Sequence, residues 1–172
     1  LAGLAESRFV GEIIENLLIQ EVDLDRFSRF EYYEFIGGTF VYLSQAGLSN
    51  FLLAADCLTE VRTRSEISCP ASLLLNQLQQ TVENSHPYSL SSEASTALIE
   101  AIVRGWKDAP NTLTWLKSRA QNDDNYAVRR AAVQELARGW KHDPDTLTIL
   151  KSRAQNDNHS DVRSDAVQKL AR

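Results

Sequence analysis

Methionine is absent from this sequence, and cysteine is nearly so, with Cys57 and Cys69 the two in the chain. Neither cysteine has partners at metal-ligand spacing, so no metal site is expected, and two free thiols in a reducing compartment are. The histidines His86, His142 and His159 all fall in polar, loop-like stretches. None has the spacing of a metal or catalytic pair. Glycine and proline are scarce and no tract is of low complexity, which excludes collagen-like and Gly/Pro-rich disordered chains and leaves a globular one. No apolar run approaches the roughly 20 residues of a membrane span, so no membrane role is expected and the cytoplasm is the expected compartment. The phosphate-cradling pattern Gly-x-x-x-x-Gly-Lys-Ser/Thr is missing, and so is any positioned nucleophile or carboxylate pair. The expectations are no catalytic residue, no enzyme activity in this chain and no cofactor. There is no initiating Met and no signal peptide, and the chain stops inside a helix whose earlier counterpart continues into Gly-Trp. A piece of a longer protein is expected.

What the sequence does contain is a unit written nearly twice. Arg104-Gly-Trp-Lys107 returns as Arg138-Gly-Trp-Lys141, Thr112 to Asp123 returns as Thr146 to Asp157, and Val128-Arg129 returns as Val162-Arg163. The period is 34 residues and about two-thirds of the positions are identical. A fixed period in this range marks a solenoid, whose units bury their apolar faces by stacking on neighbours.

Each unit reads as two helices. Leu113, Leu116 and Ala120, then Leu147, Leu150 and Ala154, share one face of the first helix. Pro110 and Pro144 precede it, and Asp143 or Asp145 is placed to cap it. Gln121 to Asn125 breaks the pattern as a turn. Val128, Ala132, Leu136 and Trp140 then step by four along the second helix, while its opposite face carries Arg130, Gln134, Arg138 and Lys141. The period of 34 also fits tetratricopeptide repeats, but their early Trp, Leu-Gly pair and late Pro are not placed so here. The unit resembles HEAT repeats, specifically the HEAT-like units of phycobilisome lyases, through Asp-x-x-x-x-Val-Arg-x-x-Ala at Asp123, Val128, Arg129 and Ala132 and again at Asp157, Val162, Arg163 and Ala166. The resemblance implies an all-α fold, a right-handed α-α superhelix (HEAT-like solenoid) of antiparallel helix pairs. It also implies that Asp123, Arg129, Asp157 and Arg163 are structural, the turn Asp bonding the helix Arg of an adjacent repeat.

Upstream, Arg8–Gln20 reads as a broadly apolar helix after the end of another over Leu1–Glu6, and 21–29 as a charged connection. The aromatic segment Phe30 to Leu43 has helical spacing and reads as a bulky helix interrupted at Gly37-Gly38. Ser49-Asn50 is placed to cap a helix over Phe51–Arg62, Ser68-Cys-Pro70 starts another over Ala71–Glu83, and Ser92 is placed to cap Glu93–Trp106. Residues 84–92 are the most loop-like stretch in the chain. The expected organisation is a divergent helical region over 1–89 and regular repeats over 90–172, stacked as one continuous solenoid. Charge follows a similar division: residues 1–100 hold 5 basic and 14 acidic side chains, residues 101–172 hold 13 and 9. Because aspartates alternate with the bases and no aromatic-plus-basic stripe appears, nucleic acid is an unlikely partner.

Phe9-Val-Gly-Glu-Ile-Ile-Glu-Asn-Leu-Leu18 and Ser49 to Arg62, followed by the Trp-Lys-Asp-x-Pro-x-Thr-Leu repeats, also resemble the C-terminal helical region of bacterial NACHT-type STAND NTPases. That resemblance implies an upstream nucleotide-binding module, a tail that senses a ligand or holds the switch off, and a role in antiphage defence or stress signalling. The expected partner is a protein ligand or another domain of the parent. It would be received on a concave face built from second helices, through Arg130, Gln134, Arg138, Lys141, Ser164, Gln168 and Arg172. The alternatives are a phycobilin lyase-like chromophore protein and a nucleic-acid-binding HEAT scaffold.

Overall fold

The computed structural model describes residues 7–19, 33–36, 39–42, 45–61, 67–84 and 90–171. Two compact units emerge, Leu1–Thr81 and Val82–Arg172.

In the first unit, α1 (Ser7–Ile19) packs on α2 (Gln45–Thr59), and α3 begins at Ser68 and runs to Glu83. Val10 and Ile14 of α1, Ala54, Ala55 and Leu58 of α2, and Leu74 and Leu78 of α3 are buried. These positions recur at intervals of three and four, the spacing of a single helical stripe. Gly11 marks a close approach, since a Cβ there would stand 3.0 Å from Cγ2 of Ile67. Between α1 and α2 lies an antiparallel hairpin, β1 (Tyr33–Ile36) and β2 (Thr39–Tyr42), with Tyr33 opposite Tyr42 and Ile36 opposite Thr39. This corrects the helix expected over Phe30–Leu43. Both runs are rich in aromatic and β-branched residues, which favour extended backbone. A second correction concerns α2, which starts four residues before Ser49, so Ser49 and Asn50 lie inside the helix rather than at its cap. The helix expected to end within Leu1–Glu6 and the connection at 21–29 lie outside the described residues.

The second unit is a HEAT-like all-α solenoid of helix pairs. Here α4 (Ser92–Trp106), α6 (Tyr126–Gly139) and α8 (Ser160–Leu170) pack in succession as one layer. Helices α5 (Thr112–Asn122) and α7 (Pro144–Asn156) form the other, each pairing with the second helix that follows it. Leu98, Ile102, Leu116, Ala120, Val128, Ala132 and Leu136 are fully buried between the layers, each leucine or valine contributing about 1.5–3 kcal/mol. Alanine at 120 and 132 permits close helix approach. Side chains cap the starts of α4, α6, α7 and α8, whereas Asn111 at the start of α5 makes no such bond. The Asn125 Oδ1 accepts the Ala127 N–H at 2.9 Å, and Asp143 Oδ1 accepts those of Asp145 and Thr146 at 3.1 Å, with Pro144 opening α7. In α4 the cap is Ser91, one residue before the expected Ser92, its Oγ accepting the Ala94 N–H. Trp115 reaches back along this unit, its indole N–H donating to the Glu83 carboxylate at 2.7 Å.

Candidate partner-binding surface

Because second helices stack one period apart, residues 34 positions apart line up across the layer: Thr96, Arg130 and Ser164; Glu100, Gln134 and Gln168. Arg130 and Gln134 do not project freely, as the expected contact face requires. Arg130 Nε donates to Asp165 Oδ2 on α8 at 2.6 Å, and Gln134 Nε2 donates to the same oxygen. Both side chains tie one repeat to the next. Sequence periodicity put them on one helical face but could not show that the following helix supplies an acid there, since Asp165 replaces Ala131 of the preceding unit.

Arg138 folds down onto Glu135, with Nη2 at 2.6 Å and Nε at 3.1 Å from Oε2. Glu135 is 4% exposed. Burial pushes its carboxyl up from the usual range, and the hydrogen bonds and charge of Arg138 offset part of that push. Glu100, Gln134, Glu135, Arg138, Lys141 and Lys169 line a groove of about 410 Å³ across α4, α6 and α8. Lys141, Ser164 and Gln168 are exposed, and Arg172 lies outside the described residues. The buried Glu135 was not found by sequence reasoning. Its helical position next to the Leu136 core stripe is the signal that could have pointed to it.

The positions expected to be structural form a clamp at one junction. Arg129 holds Asp157 of the next turn in a two-pronged pair, Nε to Oδ2 at 2.9 Å and Nη2 to Oδ1 at 2.8 Å. Its Nη1 donates to the carbonyls of Asp123 and Asp124. The side chains are 7% and 0% exposed, and Arg153 Nη1 adds a third contact to Asp157 at 3.3 Å. At Asp123 the clamp is missing. The residue one period before Arg129 is Ser95, fully buried with its Oγ unpartnered, and Asp123 is met by Arg119 at 3.2 Å and by the Asn125 N–H. Arg163 donates from Nη1 to the Asp157 carbonyl at 2.8 Å.

The two equivalent aspartates therefore titrate in opposite directions. For Asp157, burial pushes the carboxyl up, but the bonds from Arg129 and the His159 N–H outweigh it, and the net shift is downward. For Asp123, burial prevails over the Asn125 N–H and Arg119, and the net shift is upward. A depressed carboxyl contributes stability that is complete above its unfolded value of about 3.9 and is lost as pH falls through the folded value. A raised one is a penalty above its folded value, relieved as pH falls towards the unfolded value. Asp157→Asn is accordingly expected to be destabilising near pH 7, with the deficit shrinking below about pH 4, whereas Asp123→Asn is expected to be neutral or stabilising near pH 7. Urea midpoints at the two pH values test this. A deficit for Asp157→Asn that does not change with pH would show that the carboxylate charge is not what Arg129 needs.

Of the histidines, His159 is built into the array. Its Nδ1 accepts the Asp161 N–H at 3.3 Å as the cap of α8, and its ring stacks on Tyr126 at 3.6 Å between centroids. Lys107 lies 5.8 Å over the Trp140 ring, joining the two Gly-Trp-Lys motifs. Cys57 and Cys69 are free thiols, and burial pushes that of Cys57 up. Among the described residues no cluster of His, Cys, Asp and Glu is able to hold a metal, and no helix is long and apolar enough to cross a membrane.

Comparison with known proteins gives one family match: the family model described as HEAT repeats matches residues 72–171. No curated protein and no solved structure matches the chain. HEAT repeats commonly serve protein–protein interaction and scaffolding. The stacked helix pairs, the arginine–aspartate clamp between them and a match over more than half of the chain lead to one conclusion, that this protein belongs to the HEAT-repeat family.

Proposed function

We propose that this HEAT-repeat chain is the non-catalytic, protein-binding arm of a larger cytoplasmic signalling NTPase of the NACHT-type STAND class, where it senses a trigger or restrains the switch in antiphage defence. The observation that carries the binding role is the outer surface of the second-helix layer. Lys141, Ser164 and Gln168 are exposed there and their side chains make no hydrogen bond or ion pair among the described residues, beside a groove lined by Ala137 and by charged and polar side chains. The link to an NTPase rests on the sequence resemblance of the upstream helices.

Two experiments test the reading. Nucleotide binding and hydrolysis by the full-length parent, with this chain alone as control, address the NTPase assignment: activity in the parent and none in the chain is expected. No nucleotide binding in either would leave a HEAT scaffold without an NTPase. Partner capture addresses the surface. Lys141→Glu with Gln168→Glu is expected to weaken capture of the parent's trigger at least ~10-fold while changing stability by no more than about 1 kcal/mol. Arg130 is the wrong residue for this purpose, because reversing its charge also breaks its bond to Asp165. Capture that survives the double change would remove this surface from consideration.

A further inference from the structure

Glu135 is an acid where the repeat does not need one. The same position is Ala101 one period earlier and Lys169 one period later, and Ala101 is buried with no charge to satisfy. A carboxylate withdrawn from water is costly unless it is paired and hydrogen-bonded. Helix α6 has a second helix on each side, α4 before it and α8 after it, so the burial of Glu135 and the exposure of its partner belong to an enclosed repeat.

Arg138 supplies the pairing and keeps part of its guanidinium free. Nε and Nη2 both engage Oε2 of Glu135, at 3.1 and 2.6 Å, which uses the side edge of the group. The end edge, formed by Nη1 and the second N–H of Nη2, meets no acceptor among the described residues. Side-chain exposure is 62% for Arg138 and 5% for Glu135, so a covered acid anchors a guanidinium that stands in the groove between α4, α6 and α8. An edge of this kind matches a carboxylate, two N–H groups to two oxygens. Because folding already fixes the side chain, a ligand need not order it. Around Arg138 the groove carries Lys141 and Lys169 against one further acid, Glu100.

We infer that Arg138, positioned by Glu135, is the carboxylate-recognition point of this groove, and that the occupant is an acidic segment of a partner protein, one Asp or Glu of which pairs with the free edge of Arg138 while Lys141 and Lys169 flank it. The inference rests on the reading of the second-helix layer as the partner-binding surface. Charge complementarity selects the occupant. A basic segment would set its cations against Arg138, Lys141 and Lys169, and an apolar one would cover the free edge and leave its N–H groups unpaired.

The test uses the full chain and labelled peptides of Ser and Gly that carry Asp or Glu singly or in short runs, beside versions with Asn or Gln and with Lys in the same places. Fluorescence anisotropy is expected to show saturable binding of the acidic peptides alone. Arg138→Gln should weaken the tightest of them more than ~10-fold, and Arg138→Lys should not restore it, because an ammonium has no planar fork. Glu135→Gln should weaken it by a smaller factor, since the guanidinium stays but loses its anchor. Lys151→Gln, on α7 and off this layer, should leave it unchanged. Removing Arg138 alone leaves a buried acid unpaired, so Glu135→Ala with Arg138→Ala, which reinstates the alanine of Ala101, is measured beside it and should lose binding to the same degree. Equal binding of the amide peptides, preference for the Lys peptides, no binding at all, or full affinity in Arg138→Gln or in Glu135→Gln would each overturn the inference. If no acidic peptide binds while Lys141→Glu with Gln168→Glu still abolishes capture of the parent's trigger, the layer stands as the binding surface and the acidic occupant alone falls.

Discussion

Replacing Arg129 by alanine is expected to destabilise the Val82–Arg172 unit by about 3–5 kcal/mol, the scale for breaking a buried ion pair and leaving one partner uncompensated. Asp157 is fully covered, and its remaining cation, Arg153, stands at 3.3 Å, so removing the two-pronged guanidinium leaves a carboxylate that water does not reach. The two carbonyls of the Asp123–Asp124 turn lose their donor as well. Arg163→Ala, the same residue in the same motif, is expected to cost no more than about 1 kcal/mol, because it holds a carbonyl and no carboxylate. Urea unfolding followed by helical circular dichroism measures both. A double-mutant cycle with Asp157→Ala should return a coupling of about 0.5–3 kcal/mol. Equal costs at Arg129 and Arg163 would mean that the pair across the junction contributes nothing beyond the local bonds.

Leu136→Ala is expected to cost about 2–5 kcal/mol, the range for truncating a fully buried leucine in a core that relaxes only in part. Leu136 is 0% exposed on α6, a helix enclosed by α4, α5 and α8. Its counterpart Leu170 on α8 is half-buried, so Leu170→Ala is expected to stay within about 1 kcal/mol. The same denaturation series compares them. If Leu170→Ala proves as costly as Leu136→Ala, the side chain of Leu170 is covered in solution to the same degree as that of Leu136.

Legibility differed between the two units for a physical reason. In the Val82–Arg172 unit helices and turns follow local rules, and a period of 34 states them twice, so α5 to α8 could be read off, with the cap of α7 narrowed to Asp143 or Asp145. In the Leu1–Thr81 unit no repeat was available. Tyr32, Phe35, Ile36, Phe40 and Leu43 fit a helical spacing, yet β1 and β2 form there. A short aromatic run satisfies both periods, and only pairing with a second strand decides between them. Ser49-Asn50 misled in a similar way, since a good cap is used only where the preceding residues are not already helical.

The candidate surface shows the same division. Sequence alone determined that second helices stack, that Arg129 and Asp157 are structural residues of the resembled family, and that Arg130, Gln134, Arg138 and Lys141 share one helical face, because these depend on periodicity and on one recurrent motif. Which of those side chains remain available to a partner depends on groups brought from other helices. Asp165 engages Arg130 and Gln134, Glu135 engages Arg138, and Lys141 is left exposed. The same holds for repeated residues with unlike fates: Arg129 is clamped and Arg163 is not, Val133 is buried and Val167 is exposed. A repeated local sequence produces a similar helix, but burial and ion pairing are properties of the neighbouring helix, and only the tertiary structure decided which neighbour each repeat has.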